Sequence, residues 1–244
     1  MLDFKLEIDR VNYKKCVELL LPPLVEHCAA KTAPNELDRF LASLGSDAVG
    51  AACAVLDRMD ADSRDTMVVW LAASHEERMR NSANRHLSEL FGAPIVRVGH
   101  FTAVDRPGTR LSLLATQVQA DYGALLKNRL VTEGVERIGE DNLVLKGAAK
   151  LALQMGGFLS AESLERQCIR LLNSERVKER LMTVLADSVR QAGLDVTVSD
   201  VTVEQTPAGV ALSQAGTAAM PADYERRLMA ELQKEAQRLR AARG

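Results

Sequence analysis

The sequence predicts an α+β fold, predominantly helical, with a small and mostly antiparallel sheet of three or four strands drawn from N-terminal, middle and near-C-terminal segments. Three observations predict it. Leu2-Asp3-Phe4-Lys5-Leu6-Glu7-Ile8-Asp9 alternates apolar and polar residues without an error, the period of a half-buried strand. The next comparably clean run, Leu194 to Glu204, lies almost at the other end of the 244 residues. Most of the sequence between them has helical periodicity. A half-buried antiparallel strand must find a partner or leave backbone groups unpaired, so the two runs are expected to meet in one sheet. That pairing would close a single domain over residues 1–216.

After the first strand, Tyr13, Cys16, Val17, Leu20, Leu21 and Leu24 recur at helical spacing. Pro22 and Pro23 remove two amide donors from that pattern, which predicts a break or kink near Leu21. Asn35 is placed to cap a helix carrying Leu37, Phe40, Leu41 and Leu44 and ended by Gly45. Val49, Ala52, Cys53, Leu56 and Met59 mark a second helix. Asp62 is the expected cap of a long third helix that stops at Phe91-Gly92-Ala93-Pro94, so residues 35–91 read as a three-helix block. Ile95 to Val104, rich in β-branched residues and bounded by Pro94 and Arg106-Pro107-Gly108, is the second expected strand.

Thr109 is the expected cap of a further helix, whose apolar set Leu111, Leu114, Ala115, Val118, Tyr122, Leu125 and Leu126 follows the i, i+3, i+4, i+7 template. Arg129 to Asn142 is polar and reads as a long loop with room for a short hairpin. Leu143 to Phe158 is apolar almost all round, with a polar stripe at Lys146, Lys150 and Gln154, and reads as a largely buried helix. Ser160 and Ser174 are placed to cap two more helices, one with Leu164, Cys168, Leu171 and Leu172, the other with Val177, Leu181, Val184, Leu185 and Val189. Gly193 closes the pair.

In the last strand Val196 and Val198 share one phase while Val201 and Val203 share the other. That switch predicts a β-bulge at Ser199-Asp200, with a tight turn as the alternative. Thr206-Pro207-Ala208-Gly209 reads as a turn into a short strand, Val210 to Ser213. Residues 217–244 form a separate amphipathic segment, a helix from Pro221 with a narrow stripe at Tyr224, Leu228, Leu232, Ala236 and Leu239. It is expected to dock on the domain or on a partner.

Composition excludes some classes of function. Lys and Arg number 31 against 33 acids, a formal charge of -2, so no global field recruits nucleic acid or an anionic membrane. Cys16, Cys28, Cys53 and Cys168 lie far apart in apolar contexts and read as buried thiols. The opening residues lack a basic segment followed by an apolar run, and no stretch approaches about 20 uncharged apolar residues. The expectation is a cytoplasmic protein without a membrane partner.

Chemistry-bearing motifs are scarce. His75 and His86 are separated by about 16 Å if one helix carries both, too far for a shared metal. His75-Glu76-Glu77-Arg78-Met79 begins like a zinc-protease helix but lacks the histidine at i+4. No nucleophile elbow, P-loop or dinucleotide fingerprint occurs, and Met155-Gly156-Gly157-Phe158 reads as a turn between helices. Arg97 and His100 fall on opposite faces of a regular strand. Glu133, Glu136, Glu140 and Asp141 do not follow the spacing of a calcium loop, so no metal or other cofactor is expected. Lys146 and Lys150, on an otherwise apolar helix, are the ligand-binding candidates, for an anion; snorkelling to the surface is their plainer reading.

No set of motifs resembles a known family. The absence of a catalytic motif tilts the reading away from an enzyme. The leading expectation is a non-catalytic interaction or regulatory protein, homo-oligomeric or bound to a protein partner, that docks through Tyr224, Leu228, Leu232 and Leu239. The first alternative is a small-molecule binder or enzyme with a pocket between helices and sheet. The second is weak nucleic-acid binding through Lys234, Arg238, Arg240 and Arg243, for which the lack of interleaved aromatics is unfavourable.

Overall fold

The computed structural model describes residues 2–30, 48–73, 75–104, 112–131 and 160–206, and in the last segment Ala230, Glu231, Lys234, Gln237, Arg238 and Ala241. In chain order the elements are β1 (Leu2–Val11), α1 (Tyr13–Ala30), α2 (Ala48–Arg58), α3 (Ala61–Ala73), α4 (Glu76–Phe91), β2 (Val96–Arg97), β3 (His100–Val104), β4 (Ser112–Ala120), α5 (Tyr122–Leu126), α6 (Ala161–Leu172), α7 (Glu175–Gln191) and β5 (Val196–Gln205). The fold is α+β, with an antiparallel sheet built from N-terminal, middle and near-C-terminal segments. No helix among the described residues is long and apolar enough to cross a membrane.

The two alternating runs do meet. β1 lies inside the sheet, antiparallel to β5 on one side and to β4 on the other, and β2 and β3 both pair with the far side of β4. Leu2, Phe4, Leu6 and Ile8 of β1 are buried, as their alternation requires. Phe4 is flanked by Ala115 and Val203, and Leu6 by Leu113 and Val201. They share one core with Met79, Ala83, Leu87 and Phe91 of α4 and with Val177, Leu181, Leu185 and Val189 of α7.

The bulge expected in β5 is present. Glu7 pairs with Asp200 but Ile8 with Val198, so Ser199 is the extra residue; a second slip, from Ile8–Val198 to Arg10–Thr197, restores the balance on β1.

Three expectations need correction and a fourth is narrowed. The segment after Thr109 is not one long helix: Ser112–Ala120 is a strand, and only Tyr122–Leu126 is helical, capped by Asp121, whose Oδ1 accepts from Ala124 N–H at 3.0 Å. Its buried residues Leu113, Ala115 and Val118 are spaced by two and then three, because a bulge intervenes. Leu2 pairs with Val118 and Phe4 with Ala115, and Gln117 takes φ 53°. That extra residue turns a strand alternation into helix-like spacing.

Of the break or kink expected near Leu21, the break does not occur: the helix from Tyr13 runs through Pro22 and Pro23 to Ala30. The carbonyls deprived of donors belong to Glu18 and Leu19, both at exposed positions where water can replace the missing N–H groups. The long third helix is two helices, α3 and α4, and α3 begins at Ala61, so Asp62 lies inside it. His75 makes the joint: its N–H closes α3 on Ala72 O at 2.9 Å, and its carbonyl opens α4 by accepting from Met79 N–H at 3.1 Å. Finally, the strand expected over 95–104 is interrupted at Val98-Gly99, giving β2 and β3. Gly99 crosses Gln117 so closely that a Cβ would sit 2.8 Å from Gln117 Cβ, which excludes any larger residue without rearrangement.

Each edge of the sheet is closed by a side-chain amide. Asn84 of α4 donates to Val98 O at 3.0 Å and accepts from Val98 N–H at 2.7 Å. Asn173, between α6 and α7, donates to Val203 O at 2.7 Å and accepts from Val203 N–H at 2.9 Å.

The helix expected after Asn35, the loop after Arg129 beyond residue 131, the helix from Leu143 and the hairpin after Thr206 lie outside the described residues.

Candidate functional site

Because α4 starts immediately after the His75 joint, its first residue, Glu76, stands beside β3. Glu76 Oε1 accepts from Phe101 N–H at 3.2 Å, and the same oxygen lies 3.1 Å from His100 Nδ1 and 3.6 Å from Arg80 Nε. One carboxylate oxygen thus fixes an imidazole on the strand edge. The far nitrogen of that ring, His100 Nε2, is shielded from solvent and has no hydrogen-bond partner.

The strand register supplies its neighbours. Thr116 of β4 is directly opposite His100, and Thr102, two residues along β3, is on the same face. Thr116 Oγ1 and Thr102 Oγ1 are also shielded and without partners. Farther along the same face the polar groups are matched: Lys5 Nζ lies 2.6 Å from Glu7 Oε1, and Ser112 donates to Glu7 Oε2 at 3.1 Å. The unmatched face atoms are therefore gathered at the end that Glu76 touches.

Other candidates are explained by structure. His75 Nε2 is 3.2 Å from Leu20 O. His86 Nδ1 is 2.9 Å from Ser188 Oγ, whose own proton goes to Val184 O at 2.6 Å, so the histidine donates. Burial pushes the Cys16 thiol up to about 12, and the Cys168 thiol likewise to about 12, so neither supplies a thiolate. Cys16 is instead a hydrogen-bonding bridge, accepting from Asp195 N–H at 3.0 Å. No group of three metal-ligating side chains occurs among the described residues.

A shallow groove of about 600 Å³ lies toward the other end of α4, with Asn84, Arg85, Arg97 and Pro94 in its wall. Asn84 is spent on Val98, and Arg85 donates to Gln191 Oε1 at 2.5 Å. Arg97 is exposed in this groove while His100 faces Glu76, so the two do not form a joint site.

Lys146, Lys150, Tyr224, Leu228, Leu232 and Leu239 lie outside the described residues. What is described of the last helix touches its own chain, with Glu231 Oε2 3.8 Å from Arg58 Nε of α2.

Sequence reasoning missed the Glu76, His100, Thr102 and Thr116 set. Two partial signals existed: an acidic residue just after His75, suited to a helix start, and the i, i+2 spacing of His100 and Thr102 on a strand. Compared with protein-family models, curated proteins and solved structures, the chain matches none.

Proposed function

We propose that the chain binds a small polar molecule where α4 meets β3 and β4, with His100, Thr102 and Thr116 as polar contacts and Glu76 as the residue that positions His100. One observation carries the reading: three side-chain atoms on neighbouring positions of one sheet face are removed from solvent and have no partner. A buried polar group left unsatisfied costs about 1–3 kcal/mol, and native proteins keep few of them. A ligand at this face would relieve all three at once. The His100 side chain retains 20% of its exposure, which leaves an approach from the strand edge.

Association draws less support. Leu19 is the single exposed large apolar side chain among the described residues, which provides no broad apolar face there. Strand addition at Val98 or Val203 would have to displace an asparagine amide.

The test is a thermal-shift screen of polyols, sugars, sugar phosphates, nucleotides and divalent ions against the full chain and Thr116→Val. A rise in Tm for one class that Thr116→Val diminishes supports the reading. A flat response to every class at saturating concentration discards it.

A further inference from the structure

The groove toward the far end of α4 is bounded by the same amide that closes the sheet edge. Asn84 donates to Val98 O at 3.0 Å and accepts from Val98 N–H at 2.7 Å. Arg85 follows Asn84 on α4, and Arg97 precedes Val98 on β2. One clamp therefore fixes the backbone under both arginines, and both line the groove.

Neither charge is neutralised inside the fold. Arg85 donates to a neutral amide, Gln191 Oε1 of α7 at 2.5 Å, which holds its guanidinium in place and leaves the charge uncompensated. Arg97 is exposed and, among the described residues, makes no hydrogen bond or ion pair. The helix dipole does not account for Arg85, which lies before the last turn of α4, a turn without a basic residue. Glu89 is the one acid of the wall, and among the described residues it pairs with neither arginine. Two arginines against one glutamate leave the lining net positive on a chain whose formal charge is -2.

We propose that this groove binds the oxyanion group, carboxylate or phosphate, of a small metabolite, with Arg85 and Arg97 as its donors. The planar guanidinium matches both kinds of oxyanion through paired N–H groups. Ser88, half-buried in the same wall, offers a hydroxyl that makes no hydrogen bond among the described residues. A volume of about 600 Å³ suits a metabolite. A long polyanion is disfavoured, because the overall charge supplies no field to draw it and Glu89 repels it locally. The site is distinct from the His100 face, which Glu76 touches at the opposite end of α4.

The experiment is an NMR titration of the full-length, ¹⁵N-labelled protein with sodium phosphate and with sodium succinate, each at constant ionic strength. One or both should give saturable shifts at the amides of Ser88, Gly92 and Arg97. Binding of phosphate alone identifies a phosphate ligand, and binding of succinate alone a carboxylate. Arg85→Gln and Arg97→Gln should each weaken the bound probe at least about tenfold, the worth of one charge-assisted hydrogen bond. Arg78→Gln, which removes an exposed arginine of α4 outside the groove, and Thr116→Val should leave it unchanged.

No saturable shift from either probe overturns the inference. Equal weakening by Arg78→Gln reports diffuse surface charge and overturns it too. Loss of binding in Thr116→Val places the anion at the His100 face, which overturns this site and supports the other.

Discussion

At one edge of the sheet the Asn173 amide exchanges two hydrogen bonds with the backbone of Val203, and at the other the Asn84 amide does the same with Val98. Each amide imitates one residue of a missing strand, which satisfies the edge and denies it to another chain. The edges differ in what accompanies this device. Beside Val98 a carboxylate, Glu76, takes the next available N–H, that of Phe101, and also holds a histidine whose second nitrogen is unmatched. Closing an edge requires a neutral amide and no more, as Asn173 demonstrates. The additional groups at the β3 edge, an ionisable pair of which the His100 Nε2 is unmatched, are more than a seal requires, and the proposed binding reading rests on them.

The largest expected effect tests the shared part. Asn173→Ala and Asn84→Ala each strand one backbone N–H and one C=O, and each should cost about 2–4 kcal/mol in a denaturant titration, from two lost hydrogen bonds with partial desolvation. Both variants should also aggregate more readily, because the uncovered strand can pair with another chain. Losses that differ by more than about 2 kcal/mol would break the equivalence of the two edges.

A smaller effect sharpens the difference. Thr116→Val and Thr102→Val remove hydroxyls that have no partner, so each variant should be stabilised, by about 0.5–1 kcal/mol. Ser188→Ala is the matched opposite: its hydroxyl accepts from His86 and donates to Val184 O, so its loss should destabilise by about 1–2 kcal/mol. Destabilisation by both threonine changes would show that the free protein already satisfies those hydroxyls, and the β3 edge would become a seal like the other.

These features differ in how far a sequence can reveal them. The bulge in β5 was legible because four valines report the phase on both sides of Ser199. The bulge in β4 was illegible for the converse reason: one residue inserted between Ala115 and Val118 produces a spacing of three, which a helix shows as well. The break at His75 was hidden because Val68, Ala72, Met79 and Ala83 continue one helical stripe across it. The Glu76–His100 contact depends on that hidden break and on a strand 24 residues away, so no local spacing encodes it. Asn84 and Asn173 were equally opaque, since a polar residue on a helix or turn looks the same whether it faces water or a strand edge.

The smallest effect uses charge to compare the edge strand β5 with the interior strand β1. Lys178 Nζ, 2.6 Å from Asp200 Oδ1, donates to the Asp200 carboxyl and holds it below its ordinary value of 3.8. Burial of Asp3 on β1 raises its carboxyl above the same 3.8, even though Thr206 donates to it. The two signs are opposite. Asp200 stays ionised in the fold at a pH where the unfolded chain begins to protonate, so its contribution is present above about pH 4 and is lost as pH falls through the lower folded value. Asp3 binds its proton more tightly in the fold, so its contribution is present below the unfolded value and is lost as pH rises through the folded one. At pH 7 Asp200→Asn should therefore destabilise and Asp3→Asn stabilise, each by only a few tenths of a kcal/mol because both carboxyls remain partly solvated. Below about pH 3 the difference between Asp3→Asn and the parent should vanish, since the parent carboxyl is then protonated in both states, while Asp200→Asn should converge on it at still lower pH. Denaturant titrations at pH 7, 5 and 3 measure these differences, and two variants moving the same way at pH 7 would mean that charge does not separate the edge strand from the strand it pairs with.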